Sequence, residues 1–131
     1  MASNDSAVDL VRRLWASGVR DPADVLPFLD AEIEIRDFDV PDADIYRGHE
    51  GWFAWIANWS EAWEDFGMEL EDIIPAGPGR VIVTSHLWAR GRSGITLERH
   101  DGWLWTVRDG KAVRLEYYAT LAEALEAAGA G

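Results

Sequence analysis

The chain has 131 residues, 48% of them apolar, and a net charge of −12 from 24 acidic and 12 basic side chains. That length is one domain with a single real core. The acidic balance argues against nucleic acid and anionic membrane surfaces as partners, since both attract basic patches, and it suits a neutral or cationic ligand. With no cysteine, disulfides, thiolate metal sites and cysteine nucleophiles are excluded. There is no apolar run of membrane length and no basic-then-apolar leader, so the expected location is the cytoplasm.

Asn4, Asp5 or Ser6 can cap a first helix, on which Val8, Val11, Leu14 and Trp15 recur at helical spacing until Gly18 ends it. Asp21-Pro22 starts a second helix through Leu29, kept short by Pro27. Residues 32–37 alternate acidic and apolar side chains, the period of a half-buried strand with Ile33, Ile35 and Asp37 on one face. An Asp-rich loop is expected over 38–45. The third helix, within 46–66, carries Trp52, Trp55, Trp59 and Trp63 on one stripe with Ile56 and Phe66 beside it. Tryptophans bury a large apolar area and carry an N–H that wants a partner, so the stripe needs a wide, partly polar surface opposite. It is either plain core or the wall of a cavity for a flat apolar ligand.

Strands follow at 68–74, 80–90, 95–107 and 112–119, divided by turns at 75–79, 91–94 and the Asp-Gly hairpin 108–111. Thr120, with Glu123 three residues on, caps a terminal helix. The predicted class is α+β over one domain, 1–131. A cone-shaped, curved antiparallel sheet has its concave face covered by three helices from the N-terminal half, and a short C-terminal helix ends the chain.

The chain resembles the SnoaL-like branch of the nuclear transport factor 2-like superfamily, which includes ketosteroid isomerase and polyketide cyclases. The resemblance rests on the opening helix pair, on Tyr46-Arg47-Gly48-His49-Glu50-Gly51 and on Gly91-Arg92-Ser93-Gly94. Trp105-Thr106-Val107-Arg108-Asp109-Gly110-Lys111 and the ending Glu123-Ala124-Leu125-Glu126-Ala127-Ala128-Gly129 complete it. The resemblance implies a carboxylate base at Asp37, the end of the first strand. The isomerases' tyrosine falls near Arg13 or Leu14 and their second carboxyl group, on the fourth strand, near Gly102, so neither oxyanion-hole donor is matched. The fold alone does not choose a reaction.

Pairing the strands about 91–94 puts Ile82, Thr84, His86 and Trp88 on one face with Thr96, Glu98, His100, Gly102 and Leu104. Val81, Val83, Ser85, Leu87, Leu97, Trp103, Trp105 and Val107 fall on the other. The face with His86, Glu98 and His100 is chosen for the cavity, because buried charge needs a reason and a cavity supplies one. The alternative is that these side chains are solvated. Asp37 likewise reads either as a base or as a loop-edge carboxylate among Asp39, Asp42 and Asp44. Candidate acid–base groups are therefore Asp37, His86, Glu98 and His100, with Tyr117 as a hydrogen-bond donor. Candidate substrate contacts are Trp15, Trp52, Trp55, Ile56, Trp59, Trp88, Leu104 and Leu115. No metal site or cofactor is expected: three histidines occur without metal-ligand spacing, and no phosphate loop is present.

The expected function is cofactor-independent acid–base catalysis, of isomerase, cyclase or dehydratase type, on a small hydrophobic carbonyl or cyclic compound. A non-catalytic ligand-binding or partner module is the alternative class. Epoxide hydrolysis is a further one, needing an Asp-Arg-Asp set to hold a water; Arg36 and Asp37 face opposite sides of a strand, which weakens it. A homodimer through the outer face of the sheet is expected, since Trp88 stands on one face and Trp103 and Trp105 on the other.

Overall fold

The computed structural model describes residues 2–39 and 45–129. The loop expected over 38–45 lies largely outside them, as do the side chains of Asn4 and Asp5. Helix α1 (Ala2–Arg20) runs through Gly18 rather than stopping there. Gly18 serves approach instead of termination: a Cβ at that position would stand 2.9 Å from Val25 Cγ1. Asp21 then caps a 3-10 helix (Pro22–Phe28) by accepting from the Ala23 N–H at 2.9 Å, with proline at its first position.

Strand β1 (Leu29–Asp37) follows, then the two-residue β2 (Tyr46–Arg47), α2 (Gly48–Ala62), β3 (Asp65–Pro75), β4 (Arg80–Arg90), β5 (Thr96–Arg108), β6 (Lys111–Tyr118) and α3 (Leu121–Ala127). Helix α2 ends before Trp63, earlier than the tryptophan spacing predicts, and Asp65 already pairs with Arg90 in the sheet. Gly67 is why the chain turns extended here: Trp88 of β4 lies over it, and any Cβ would meet that ring at 2.6 Å. No helix among the described residues is long and apolar enough to cross a membrane.

The six strands form one curved, unclosed sheet in the order β2-β1-β6-β5-β4-β3. All neighbours are antiparallel except β1 and β6, which run parallel with Asp37 beside Tyr117. Between β4 and β5 the register is unbroken from Arg80↔Thr106 to Arg90↔Thr96. Alternation therefore sorts every side chain of both strands to one of two faces, as the sequence predicts.

Which face is inside differs from expectation. Val81, Val83, Trp103 and Trp105 pack with Val11, Leu14 and Trp15 of α1 and with Trp52 and Trp55 of α2 in the main core. Burying one tryptophan is worth roughly 4–6 kcal/mol at about 25 cal/mol per Å², and only this face carries two. The opposite face supplies only Ile82 and Leu104 to a second core, which α3 covers with Ala124. Helix α3 comes close because Gly102 has no side chain. A Cβ there would stand 2.5 Å from Ala124 Cβ and 3.0 Å from the Thr120 carbonyl oxygen. Gly102→Ala should lift α3 and cost about 1–3 kcal/mol, read as a lowered midpoint in urea unfolding; an unchanged midpoint would mean that α3 is not packed this closely.

Candidate functional site

Between the helices and the inner face lie two adjacent chambers that share lining residues. A narrow chamber of about 30 Å³ is walled by Trp55 and Trp59 of α2, Leu87 of β4 and Tyr117 of β6. A wider chamber of about 290 Å³ extends toward α1 and the 3-10 helix, past Leu14, Trp15, Trp52 and Trp105. Ile56, Phe66, Met68 and Trp103 line both. Apart from Tyr117 and the indole N–H groups, these side-chain walls are apolar. Such a space favours compact apolar ligands.

A polar network closes the narrow end. Asp101 of β5 is fully buried and accepts three hydrogen bonds: from the Ser85 N–H (3.1 Å), the Ser85 hydroxyl (2.5 Å) and the Tyr117 hydroxyl (2.8 Å). Burial pushes its pKa above the usual aspartate value, against the pull of Ser85 and Tyr117. The Trp103 indole N–H makes no hydrogen bond of its own, yet it stands near enough to favour the charged carboxylate as well. Tyr117 in turn stays protonated, because burial and then the Asp101 charge both raise its pKa.

Arg99 links this pair to the edge of the sheet. It donates to both carboxylate oxygens of Asp39 (3.1 and 2.8 Å) and to the Tyr117 oxygen (3.2 Å), over the faces of Trp59 and Tyr117. Burial works against its charge, but the Asp39 hydrogen bonds outweigh that and keep the guanidinium ionised. Asp37, also buried, accepts from the Trp55 indole N–H at 2.8 Å and from the Asp39 N–H at 2.9 Å. Among the described residues no three His, Asp or Glu side chains are placed to hold a metal ion.

Of the residues singled out in the sequence, Asp37 and Tyr117 lie side by side on the inner face, and Trp15, Trp52, Trp55, Ile56 and Trp59 wall the cavity. His86, Glu98 and His100 do not join them. They stand on the outer face, where His86 pairs with Glu98 at 2.7 Å and His100 with Glu71 at 2.6 Å, the two imidazoles stacked 5.0 Å apart. Glu98 is 71% exposed and His100 63%, so their charge needs no cavity. Trp88 is also on the outer face and 42% exposed, Leu104 is sealed under α3, and Leu115 is core behind the cavity. The outer side thus carries Trp88, not Trp103 and Trp105.

Arg99, Asp101, Ser85 and Asp39 were not singled out. One signal pointed at Asp101: the resemblance put the second carboxyl group at Gly102, one residue along the same strand. A shift by one changes the face, and Asp101 occupies the inward position.

Fold and site together define an α+β domain with a buried carboxylate–tyrosine–arginine network beside an apolar cavity. The chain belongs to the SnoaL-like domain family, whose model matches residues 9–115. No curated protein matches it by sequence. Solved structures that share the fold include TerC, co-crystallised with polyporic acid (19% identity, TM-score 0.74, covering 95% of this chain and 98% of that one). An NTF2-like protein of Burkholderia thailandensis E264 is 22% identical, with TM-score 0.75 over 91% of this chain and 96% of its own. RV0760c of Mycobacterium tuberculosis, in complex with estradiol-17beta-hemisuccinate, is 18% identical, with TM-score 0.67 over 89% and 95%.

The outer histidines give a direct electrostatic prediction. The hydrogen bond to Glu71, and then its charge, raise the His100 pKa above the usual imidazole value. A raised folded-state pKa contributes stability that is complete below about pH 6.5 and is lost as the pH climbs through the folded value. In an NMR titration of the ring, Glu71→Gln should move the His100 midpoint down; an unmoved midpoint would assign the shift to another group.

Proposed function

We propose that this protein takes a compact apolar molecule into its tryptophan-walled cavity and performs cofactor-independent acid–base chemistry on it, of isomerase, cyclase or dehydratase type. The observation that carries the proposal is Tyr117. Its ring lines the narrow chamber, and its hydroxyl joins the buried Asp101 to Arg99 just behind that wall. Asp37, its neighbour in register, is the proposed base for a proton next to a carbonyl group. As the proton leaves carbon, charge grows on the carbonyl oxygen, and the Tyr117 O–H can donate to it. Protonated Asp101 supports that step: its own O–H can then donate to the Tyr117 oxygen, which frees the phenol hydrogen for the ligand. The raised Asp101 pKa extends the pH range over which this form is populated.

A non-catalytic binding module is the second reading. The observation in its favour is that Asp37 and Asp101 already have protein donors on both oxygens, and neither is itself a wall of the cavity. Epoxide hydrolysis keeps one supporting feature: Arg99 bonds Asp39 directly and is joined to Asp101 through the Tyr117 hydroxyl. A homodimer through the outer face around the exposed Trp88 is also proposed; light scattering at micromolar concentration would count against it by returning the monomer mass.

Cyclic enones and epoxides, screened together, separate these readings. For any compound that is turned over, Asp37→Asn should lower kcat by about 10²–10⁴ and Tyr117→Phe by about 10²–10³. Binding, followed by tryptophan fluorescence, should hardly change in either variant. Activity should fall at high pH as Asp101 loses its proton, and Asp101→Asn should abolish that limb. Tight binding without turnover, unaffected by either substitution, would favour the binding module.

A further inference from the structure

Two features of the wide chamber act together on whatever occupies it. The first is aromatic. Trp15, Trp52 and Trp103 border the space and keep some accessible surface, 9%, 5% and 5%. Trp15 stands at 88° to Trp103, and the half-buried Phe66 adds a further ring, so rings wall the chamber in more than one plane. The faces of such rings are electronegative and attract cations. The second feature is charge. Among the described residues no charged side chain lines either chamber, but three carboxylates and one guanidinium stand behind the walls of the narrow end. Arg99 is taken up by Asp39. Asp101 stands beside Trp103, and Asp37 is met by two neutral donors, the Trp55 indole N–H and the Asp39 N–H. Even with Asp101 protonated, one negative charge is left over. In a low-dielectric interior that charge acts across the width of a ring. An indole that donates to a carboxylate is also polarised by it, which makes its face a better partner for a cation.

We propose that the wide chamber holds a quaternary ammonium group, a cation sheathed in methyl or methylene groups. This rests on the cavity reading above and specifies the charge of the group that the cavity takes. The walls themselves decide the kind of cation. A primary ammonium carries three N–H donors, and the side chains around the chamber offer no oxygen to accept them, so burying it costs unmade hydrogen bonds. A quaternary nitrogen has no donor to satisfy, and its apolar sheath suits the tryptophan faces. An anion meets the wrong sign from the rings and from the carboxylates behind them. A neutral molecule of the same shape gains the burial alone.

The test titrates the full chain with choline and with 3,3-dimethylbutan-1-ol, followed by tryptophan fluorescence. The two probes share a shape and differ by a cationic nitrogen in place of a carbon. Choline should bind about tenfold tighter, and its methyl proton resonance should move upfield, the direction that ring faces impose. Asp37→Asn keeps the size of the side chain and removes its charge. It should reduce choline's advantage severalfold and leave the affinity for the alcohol unchanged. If that variant fails to fold, Trp15→Leu, which keeps an apolar wall but removes a ring, should reduce the advantage instead. Equal or tighter binding of the alcohol overturns the cation and leaves the cavity standing. A choline advantage and methyl shift that survive the substitution put the cation elsewhere on the acidic chain and overturn the proposal as well. If neither probe binds, the cavity reading falls and takes the cation with it.

Discussion

Trp103 and Trp105 stand two residues apart on β5, so no register of that strand can bury one without the other, and none can bury them without carrying Arg99 and Asp101 to the same side. The indoles belong inside because their transfer from water is the largest apolar term available to the sheet. The two charged residues follow by geometry. The partners of Arg99 and Asp101 answer that constraint. Ser85 sits across from Asp101 in register and gives it both an N–H and a hydroxyl. Tyr117 supplies the third donor from the next strand, and Asp39 takes up the charge of Arg99.

The network is therefore a consequence of packing as much as a device for chemistry. A buried aspartate with three donors fixes the Tyr117 ring at the narrow end of an apolar cavity. Around the cavity, helix tryptophans meet the sheet edge to face instead of flat: Trp55 of α2 lies at 74° to Trp103 and Trp15 of α1 at 88° to it, with ring centroids 5.5 and 5.1 Å apart. Large rigid rings leave space between them that smaller aliphatic side chains would fill. The same residues that stabilise the fold shape the site.

Much of this was legible in the sequence. The alternation in 80–90 and 95–107 gives the strands and their pairing, and Asp37 and Tyr117 stand among the candidates by their strand positions. Asp37 stands there with two readings open, base or loop edge, because period two cannot tell which of its two sets is inside. Both sets here mix apolar and charged residues, and Ile82, Leu104 and Trp88 made the histidine face resemble a cavity lining. Ile82 and Leu104 are apolar for another reason: α3 packs on them from outside. The end of α2 was misjudged because Trp63 continues the helical spacing, while Gly67 and the ring over it fix the chain as strand. Gly18 was taken for a stop signal, where its role is to let Val25 approach.

The central claim is that the tryptophan face of β5 is the interior and the histidine face is the exterior. Hydrogen exchange of the individual indole N–H groups, followed by NMR, tests it directly. The account predicts that the Trp103 and Trp105 indoles exchange only through global opening, while the Trp88 indole exchanges at close to the solvent rate. Protection of Trp88 in a monomer, with rapid exchange at Trp103 and Trp105, would contradict it.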